Sequence, residues 1–181
     1  ALIPLLEKIS KARMELSLYA PNGLHVRFLD FRLAGLLRAT GFREISLGVE
    51  SAREEFHAAL DRKLDQEELR RALEALFAAG YAGREITGYI LAGLPGQRRE
   101  EVEESLRRVS EMGIRVQITE YSPVPRTPLW QEAVRLSRLP LAEEPLTHNN
   151  SLLPMQWEGL ELEDLQALKD LARSLSSGAS G

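Results

Sequence analysis

Cysteine is missing from this sequence of 181 residues. The chain can therefore form no disulfide and no thiolate metal site, and this usage predicts a cytoplasmic protein. No apolar run approaches the ~18 residues that a membrane-spanning helix needs. A net charge of -4 gives no positive field that would attract nucleic acid or an anionic membrane. What is present is an ordinary globular composition, 44% hydrophobic and 28% charged, with enough residues for one core.

Apolar runs that stop abruptly at polar, glycine or proline residues recur along the chain, and a helical pattern follows each run. Four strands are predicted, at 14–19, 44–49, 84–92 and 115–120. Pro21-Asn22-Gly23 is expected to end the first strand with a turn. The alternation predicts a parallel sheet with helices packed on it and functional residues at the carboxyl ends of the strands. Four strands cannot close a barrel of eight, so the sheet is an open α/β layer or part of a larger barrel.

The second predicted strand ends in Gly48-Val49-Glu50-Ser51. A carboxylate at the end of a parallel strand lies on the ligand side of the sheet, where Glu50 could accept hydrogen bonds from two ribose hydroxyls. Alternatively, Glu50 or Ser51 caps a short helix predicted over 52–60. Arg62, eleven residues after Ser51, could hold a carboxylate by a two-bond fork or could be a surface cation between two helices.

Turns rich in glycine and proline follow the third and fourth predicted strands. Gly93 lets a flat ligand approach the backbone, and Leu94-Pro95-Gly96 makes a fixed turn. This turn lacks the Lys-Ser/Thr of a phosphate-binding loop. The segment 121–128 contains three prolines, which make it rigid enough to present backbone groups to a base edge. Either turn could also be a tight connection that binds nothing.

In their order and spacing these segments resemble the second half of the radical S-adenosylmethionine (SAM) core. Members of that family carry a strand ending in Gly-Val-Glu/Gln-Ser, then Leu-x-x-x-x-Arg/Lys. A strand ending in Ile-x-x-Gly-Leu-Pro-Gly follows, and then one ending in Tyr-Ser-Pro-x-Pro-Gly-Thr-Pro. The segment 41–51 is especially similar to the cobalamin-binding, methylthiotransferase-like and coproporphyrinogen-oxidase-like branches. The resemblance covers residues 14–136.

The resemblance implies an α/β fold, a partial parallel (β/α) barrel of six strands of which this chain supplies the last four, with a helical extension at its carboxyl end. Residues 1–137 would form the carboxyl-terminal half of the barrel. Residues 138–175 would form an irregular segment and a terminal helix, and residues 176–181 a flexible tail.

The resemblance also implies ten residues that bind the cofactor SAM. Those at the ribose and the methionine carboxylate would be Glu50, Ser51 and Arg62. Those around the adenine, or closing the same pocket, would be Ile90, Leu91, Gly93, Tyr121, Ser122, Val124 and Asn22. Neither a catalytic residue nor a metal ligand is assigned within this chain.

Two departures from the family pattern matter. Arg126 replaces the glycine of Pro-x-Pro-Gly-Thr, so this turn is expected to differ in shape. The Cys-x3-Cys-x2-Cys loop that holds the family's [4Fe-4S] cluster is absent. We therefore expect a fragment, inactive alone, of a longer protein. The N-terminal half of the same polypeptide would carry the cluster that cleaves SAM to a 5′-deoxyadenosyl radical.

Two further functions stay open from the residues alone. A non-radical (β/α) barrel of aldolase or synthase type would use Glu50 and Glu120 as an acid–base pair. A non-catalytic small-molecule-binding α/β module would let Glu50 and Arg62 point apart to solvent. Whichever function holds, the uncovered sheet edge of a fragment predicts self-association or poor solubility.

Overall fold

The computed structural model describes residues 2–50, 66–149 and 159–178, apart from the side chains of Glu50 and Gln66. Its strands are β1 (Leu18–His25), β2 (Phe42–Glu50), β3 (Ile86–Ala92) and β4 (Arg115–Glu120). The helices within these ranges are α1 (Leu2–Lys11), α2 (Phe31–Ala39), α3 (Gln66–Ala78), α4 (Arg99–Ser110), α5 (Trp130–Leu136) and α6 (Leu162–Gly178). The short helix expected over 52–60 lies outside the described residues.

All four strands are parallel, and their spatial order β1-β2-β3-β4 is also their chain order. An order that never reverses has no switch point of the doubly wound kind, and it is the order found in a barrel. The α/β fold class and the partial parallel barrel are therefore confirmed, as is the helical carboxyl-terminal extension.

The two faces of the sheet differ because successive strand residues point to opposite sides. In β3, Ile86, Gly88, Ile90 and Ala92 are buried, and the residues between them are half-buried. The buried face packs against α2, α3 and α4, whose apolar side chains join the same core as Ile45 and Leu47 of β2. The opposite face, called the inner face, carries Glu44, Ser46 and Gly48 of β2, Thr87, Tyr89 and Leu91 of β3, and Arg115 and Gln117 of β4.

The first strand lies further along the chain than the sequence predicts. β1 spans Leu18–His25 and includes Pro21-Asn22-Gly23, the residues expected to form a terminating turn. Its pairing with β2 is interrupted between Ala20 and Leu24, so Pro21-Asn22-Gly23 forms a bulge within the strand instead of a turn that ends it. Proline is tolerated there because the bulge interrupts the pairing with β2.

The edge of β4 is covered by α6. This helix packs on β4 and α4, and it buries Leu165, Leu168 and Ala172. The Ser176 hydroxyl accepts a hydrogen bond from the backbone N–H of Val116 and donates one to its carbonyl, both at 2.9 Å. The helix thus continues through 176–178, three residues that the sequence assigned to a flexible tail. No helix within the described residues is long and apolar enough to cross a membrane.

Candidate functional site at the carboxyl ends of the strands

The carboxyl ends of β2, β3 and β4 lie side by side. Glu50 pairs with Ile90, and Ala92 pairs with Glu120. Beyond the strands, the Tyr121 amide donates a 2.8 Å hydrogen bond to the Ala92 carbonyl. Because the strands are parallel, the segments that follow them emerge at one edge of the sheet. The described parts of the three strand-end segments identified in the sequence therefore lie side by side.

Gly48 leaves the inner face open close to this edge. It pairs with His25 of β1 on one side and with Tyr89 of β3 on the other. A Cβ atom built on Gly48 would meet no heavy atom within 4 Å. A side chain would therefore fit here in the structure as it stands, and its absence leaves room for a ligand against the backbone.

Tyr89 crosses the inner face below this opening. Its hydroxyl accepts a hydrogen bond from the Ser46 hydroxyl at 3.4 Å and donates one to the Pro21 carbonyl of β1 at 3.1 Å. These bonds connect β1, β2 and β3, and they fix the aromatic ring on the inner face. Sequence reasoning did not single out Tyr89. Its place in the alternation of β3, on the face opposite Ile90, was the available signal.

The turn after β3 is held by Gln97, which sequence reasoning also missed. Gly93 has φ +91°, a conformation that favours glycine. The side-chain oxygen of Gln97 accepts hydrogen bonds from the amides of Gly93 at 2.8 Å and Leu94 at 3.1 Å. Its side-chain nitrogen donates to the Leu91 carbonyl at 3.3 Å, and the residue is only 1% exposed. A single amide side chain directly after Gly-Leu-Pro-Gly was the signal in the sequence.

The segment after β4 is partly buried and partly exposed. Tyr121 is 9% exposed, and burial raises the pKa of its phenol, with a smaller opposing contribution from the Thr127 hydroxyl. The Ser122 hydroxyl donates to the His148 carbonyl, so it binds the segment before the terminal helix. Val124 is 52% exposed, and its carbonyl accepts a 2.7 Å hydrogen bond from the Thr127 hydroxyl.

Arg126 takes the conformation that a glycine would favour, with φ +69°. Arg126 therefore adopts a left-handed conformation although it has a Cβ atom. The cost of that conformation for a residue with a Cβ is about 1 to 2 kcal/mol.

The structure separates some of the predicted site residues. Ile90 is fully buried in the core beneath the helices, so it does not reach the inner face, whereas Leu91 does. The sequence reasoning assigned both neighbours to one pocket, but successive strand residues point to opposite faces. Asn22 is exposed in the bulge of β1 and does not follow the strand. Ser51 and Arg62 lie outside the described residues.

Glu120 does not stand free as the partner of an acid–base pair. Its carboxylate forms an ion pair with Lys169 of α6, and its side chain is 18% exposed. Since α6 covers the outer edge of β4, the contact attaches this helix to the strand.

A cavity of about 700 Å³ opens on a different part of the inner face. It is lined by Glu44 and Ser46 of β2, Thr87 and Tyr89 of β3, residues 115–118 of β4, and α6. Arg115 and Glu44 approach each other there at 3.5 Å. The cavity is therefore polar, and it adjoins the Gly48 opening because Tyr89 lines the cavity and also pairs with Gly48.

The sequence profile of the radical SAM superfamily matches residues 2–109 of this chain. The chain belongs to the radical SAM superfamily. Three functions were considered from the residues: part of a radical SAM enzyme, a non-radical barrel enzyme and a non-catalytic binding module. This membership supports the radical SAM enzyme.

Curated relatives with a similar sequence include oxygen-independent coproporphyrinogen III oxidases. The chain is 29% identical over 121 residues to the oxygen-independent coproporphyrinogen III oxidases of Salmonella typhimurium and Salmonella typhi. The match covers 66% of this chain and 26% of each relative. The chain thus spans about a quarter of the length of these relatives.

Solved structures agree on the fold. Coproporphyrinogen III oxidase (HemN) from Escherichia coli, a radical SAM enzyme, superposes with a TM-score of 0.64 at 18% identity, over 97% of this chain and 38% of that one. The methyltransferase TsrM from Kitasatospora setae, with tryptophan and the SAM analogue aza-SAM bound, superposes with a TM-score of 0.64 at 18% identity. This match covers 92% of this chain and 39% of TsrM. A second TsrM structure contains cobalamin and a [4Fe-4S] cluster.

Proposed function

We propose that this chain forms the SAM-binding, carboxyl-terminal part of the barrel of a radical SAM enzyme. The observation that carries the proposal is the opening at Gly48, on the inner face beside the joined ends of three parallel strands. Membership of the superfamily supports SAM as the ligand. The TsrM structure with a SAM analogue bound supports it through a protein of the same fold.

The residues of this chain would bind SAM mainly through strand ends and backbone groups. Glu50, with Ser51, would accept hydrogen bonds from the ribose hydroxyls, and Arg62 would pair with the methionine carboxylate. Leu91 and Gly93 would lie against the adenine. Of the predicted adenine contacts, Ile90 would act only by supporting the strand from the core.

The segment after β4 would close the same pocket. Tyr121, Ser122 and Val124 would face the base with backbone groups. The Ser122 side chain would not contact the base, because its hydroxyl donates to the His148 carbonyl. Asn22 would approach from the bulge of β1. The rigid turn around Arg126 would keep these groups in place when no ligand is bound.

The [4Fe-4S] cluster of the family does not fit this chain. The sequence has no cysteine, so it offers no thiolate to the iron atoms. The cluster would be held by the N-terminal half of the same polypeptide. The chemistry that SAM supplies in this family is a 5′-deoxyadenosyl radical, which removes a hydrogen atom from the substrate.

Further strands of that polypeptide would pair with β1. The edge of β4 is covered by α6, whereas β1 is the other outermost strand of the described sheet. Tyr19, Phe28 and Phe31 are large exposed side chains in and just after β1. The self-association predicted for the chain alone would use the same surface.

The proposal is tested by filling the space at Gly48. Gly48→Ala and Gly48→Val should keep or raise the free energy of unfolding, by about 0.5 to 1 kcal/mol, because a glycine inside a strand is unfavourable. Both should weaken SAM binding, by at least ~10-fold for valine, since the larger side chain occupies the ligand's volume. Binding is measured by calorimetry on the full-length protein that contains this chain.

Gly35→Ala is the matched control, because a Cβ at this helical position also meets nothing within 4 Å. It should stabilise the protein and leave SAM binding unchanged. A stable Gly48→Val protein that binds SAM as tightly as the unaltered protein would contradict the proposed position of the ligand.

A further inference from the structure

The turn after β3 depends on one side chain. Gln97 makes three side-chain hydrogen bonds, to Leu91, Gly93 and Leu94, and its own backbone N–H donates to the Leu94 carbonyl at 2.9 Å. The segment that it binds runs from the last residues of β3 to the start of α4. All four bonds lie within this one segment, so they define its shape more than they connect it to the rest of the fold.

The bonding pattern uses both ends of the side-chain amide. One oxygen satisfies two backbone donors, and the nitrogen satisfies one backbone acceptor. Burying any of these groups without a partner costs about 1 to 3 kcal/mol. An apolar side chain of the same size would therefore fill the volume and leave the turn without its hydrogen bonds.

The two ends of the amide fix two residues that the proposed function assigns to the adenine. The nitrogen binds the carbonyl of Leu91, and the oxygen binds the amide of Gly93. Between them the Ala92 carbonyl accepts the Tyr121 amide, so the β4 segment is placed relative to the same turn. The position of Gly93 at φ +91° thus follows from Gln97 as well as from the glycine itself.

We propose that Gln97 is a positioning residue for the cofactor: its amide holds the backbone of Leu91 and Gly93 in the shape that receives the adenine of SAM. This inference rests on the proposed function. Gln97 itself is buried and would not touch SAM. Its contribution is preorganisation, because a turn that is already ordered loses less conformational freedom when the ligand binds.

The test compares Gln97→Met with Gln97→Glu in the full-length protein. Methionine keeps the length of the side chain but makes none of the three hydrogen bonds. Ionised glutamate keeps the acceptor for Gly93 and Leu94 and loses the donor to Leu91, so the comparison is made at a pH at which this buried carboxyl is ionised. Gln166→Met, at an exposed position of α6, is the control for exchanging the same residue types.

SAM affinity and amide exchange are the two readouts. Gln97→Met should weaken SAM binding by at least ~10-fold, and Gln97→Glu should fall between it and the unaltered protein. Hydrogen exchange at the Gly93 and Leu94 amides should accelerate in Gln97→Met and stay slow in Gln97→Glu. In turnover assays the KM for SAM should rise more than kcat falls, and Gln166→Met should change none of these quantities.

The outcomes separate the inference from the proposed function. If the unaltered protein fails to bind SAM, both are overturned. If it binds SAM and a folded Gln97→Met protein binds equally well, only the positioning role is overturned. Should Gln97→Met fail to fold, Gln97→Glu decides: slow exchange with intermediate SAM affinity supports the role. Fast exchange or unchanged affinity in that variant refutes it.

Discussion

The hydrogen bonds between Ser176 and Val116 make the end of α6 a structural cover for the sheet. Inside a sheet, a neighbouring strand pairs with the backbone N–H and C=O groups of each strand. At an edge strand, the outward-facing groups have no such partner. In this chain one hydroxyl satisfies both groups of Val116, each at 2.9 Å. We therefore expect Ser176→Ala to destabilise the protein although it removes only one oxygen atom.

The size of this effect follows from the groups left behind. A net hydrogen bond contributes about 0.5 to 1.5 kcal/mol, and a buried group without a partner costs about 1 to 3 kcal/mol. The site is only partly buried, so water can replace part of the loss. Alanine is also a better helix former than serine, by up to ~0.5 kcal/mol. The net destabilisation should be about 1 to 2 kcal/mol.

Ser177→Ala provides the matched control on the next residue. The Ser177 hydroxyl is exposed and donates to the Ser174 carbonyl within its own helix. Both variants share the change in helix propensity, so their difference isolates the contact with β4. Urea unfolding followed by circular dichroism measures it, and the melting temperature should fall by about 2 to 4 °C for each kcal/mol. Equal unfolding free energies for the two variants would refute the role assigned to Ser176.

Two predictions concern other parts of the chain. Burial raises the pKa of Tyr81 to about 12, while the Arg38 guanidinium opposes the shift. The contribution of the neutral Tyr81 phenol to the free energy of unfolding is therefore complete below pH ~10. It is lost as the pH rises toward 12, and the free energy of unfolding falls by at most ~2 to 3 kcal/mol. Tyr81→Phe should flatten the unfolding free energy over that window, and a loss as steep as before would contradict this. Arg126→Gly should stabilise the protein by up to ~1 kcal/mol and Arg126→Val should destabilise it, because only glycine adopts φ +69° freely. Urea unfolding checks both changes, and the opposite order would count against the left-handed turn.

The bounds predicted for β4 agree with the structure, whereas those predicted for β1 do not. The accuracy differs between the two strands for a physical reason. β4 is flanked by a glycine stop and a proline-rich turn, so its ends are marked in the sequence. In β1, Pro21-Asn22-Gly23 has the composition of a turn, yet it forms a bulge that stays within the strand. Proline, asparagine and glycine favour a local change of chain direction. Whether Pro21-Asn22-Gly23 forms a turn or a bulge depends on the pairing of β1 with β2.

The sequence indicated which segments lie together at the candidate site, but it did not indicate the direction of single side chains. Parallel strands bring their carboxyl ends together, so the meeting of the three segments followed from alternation alone. The exclusion of Ile90 required the register of β3, which a motif match does not provide. The role of Gln97 required the path of the turn, since its partners are backbone groups that any sequence would offer.

The inner face has two parts, which differ in whether side chains or backbone groups line the surface. Toward the amino ends of the strands, charged and polar side chains such as Arg115 and Glu44 line a cavity. Toward the carboxyl ends, Gly48 has no side chain, and the Gly93 turn is shaped by a residue buried beneath it. A site built largely from backbone is sensitive to what holds the backbone. Substitutions at Gly48 and Gln97 should therefore impair cofactor binding more than substitutions of the exposed polar residues in the cavity below.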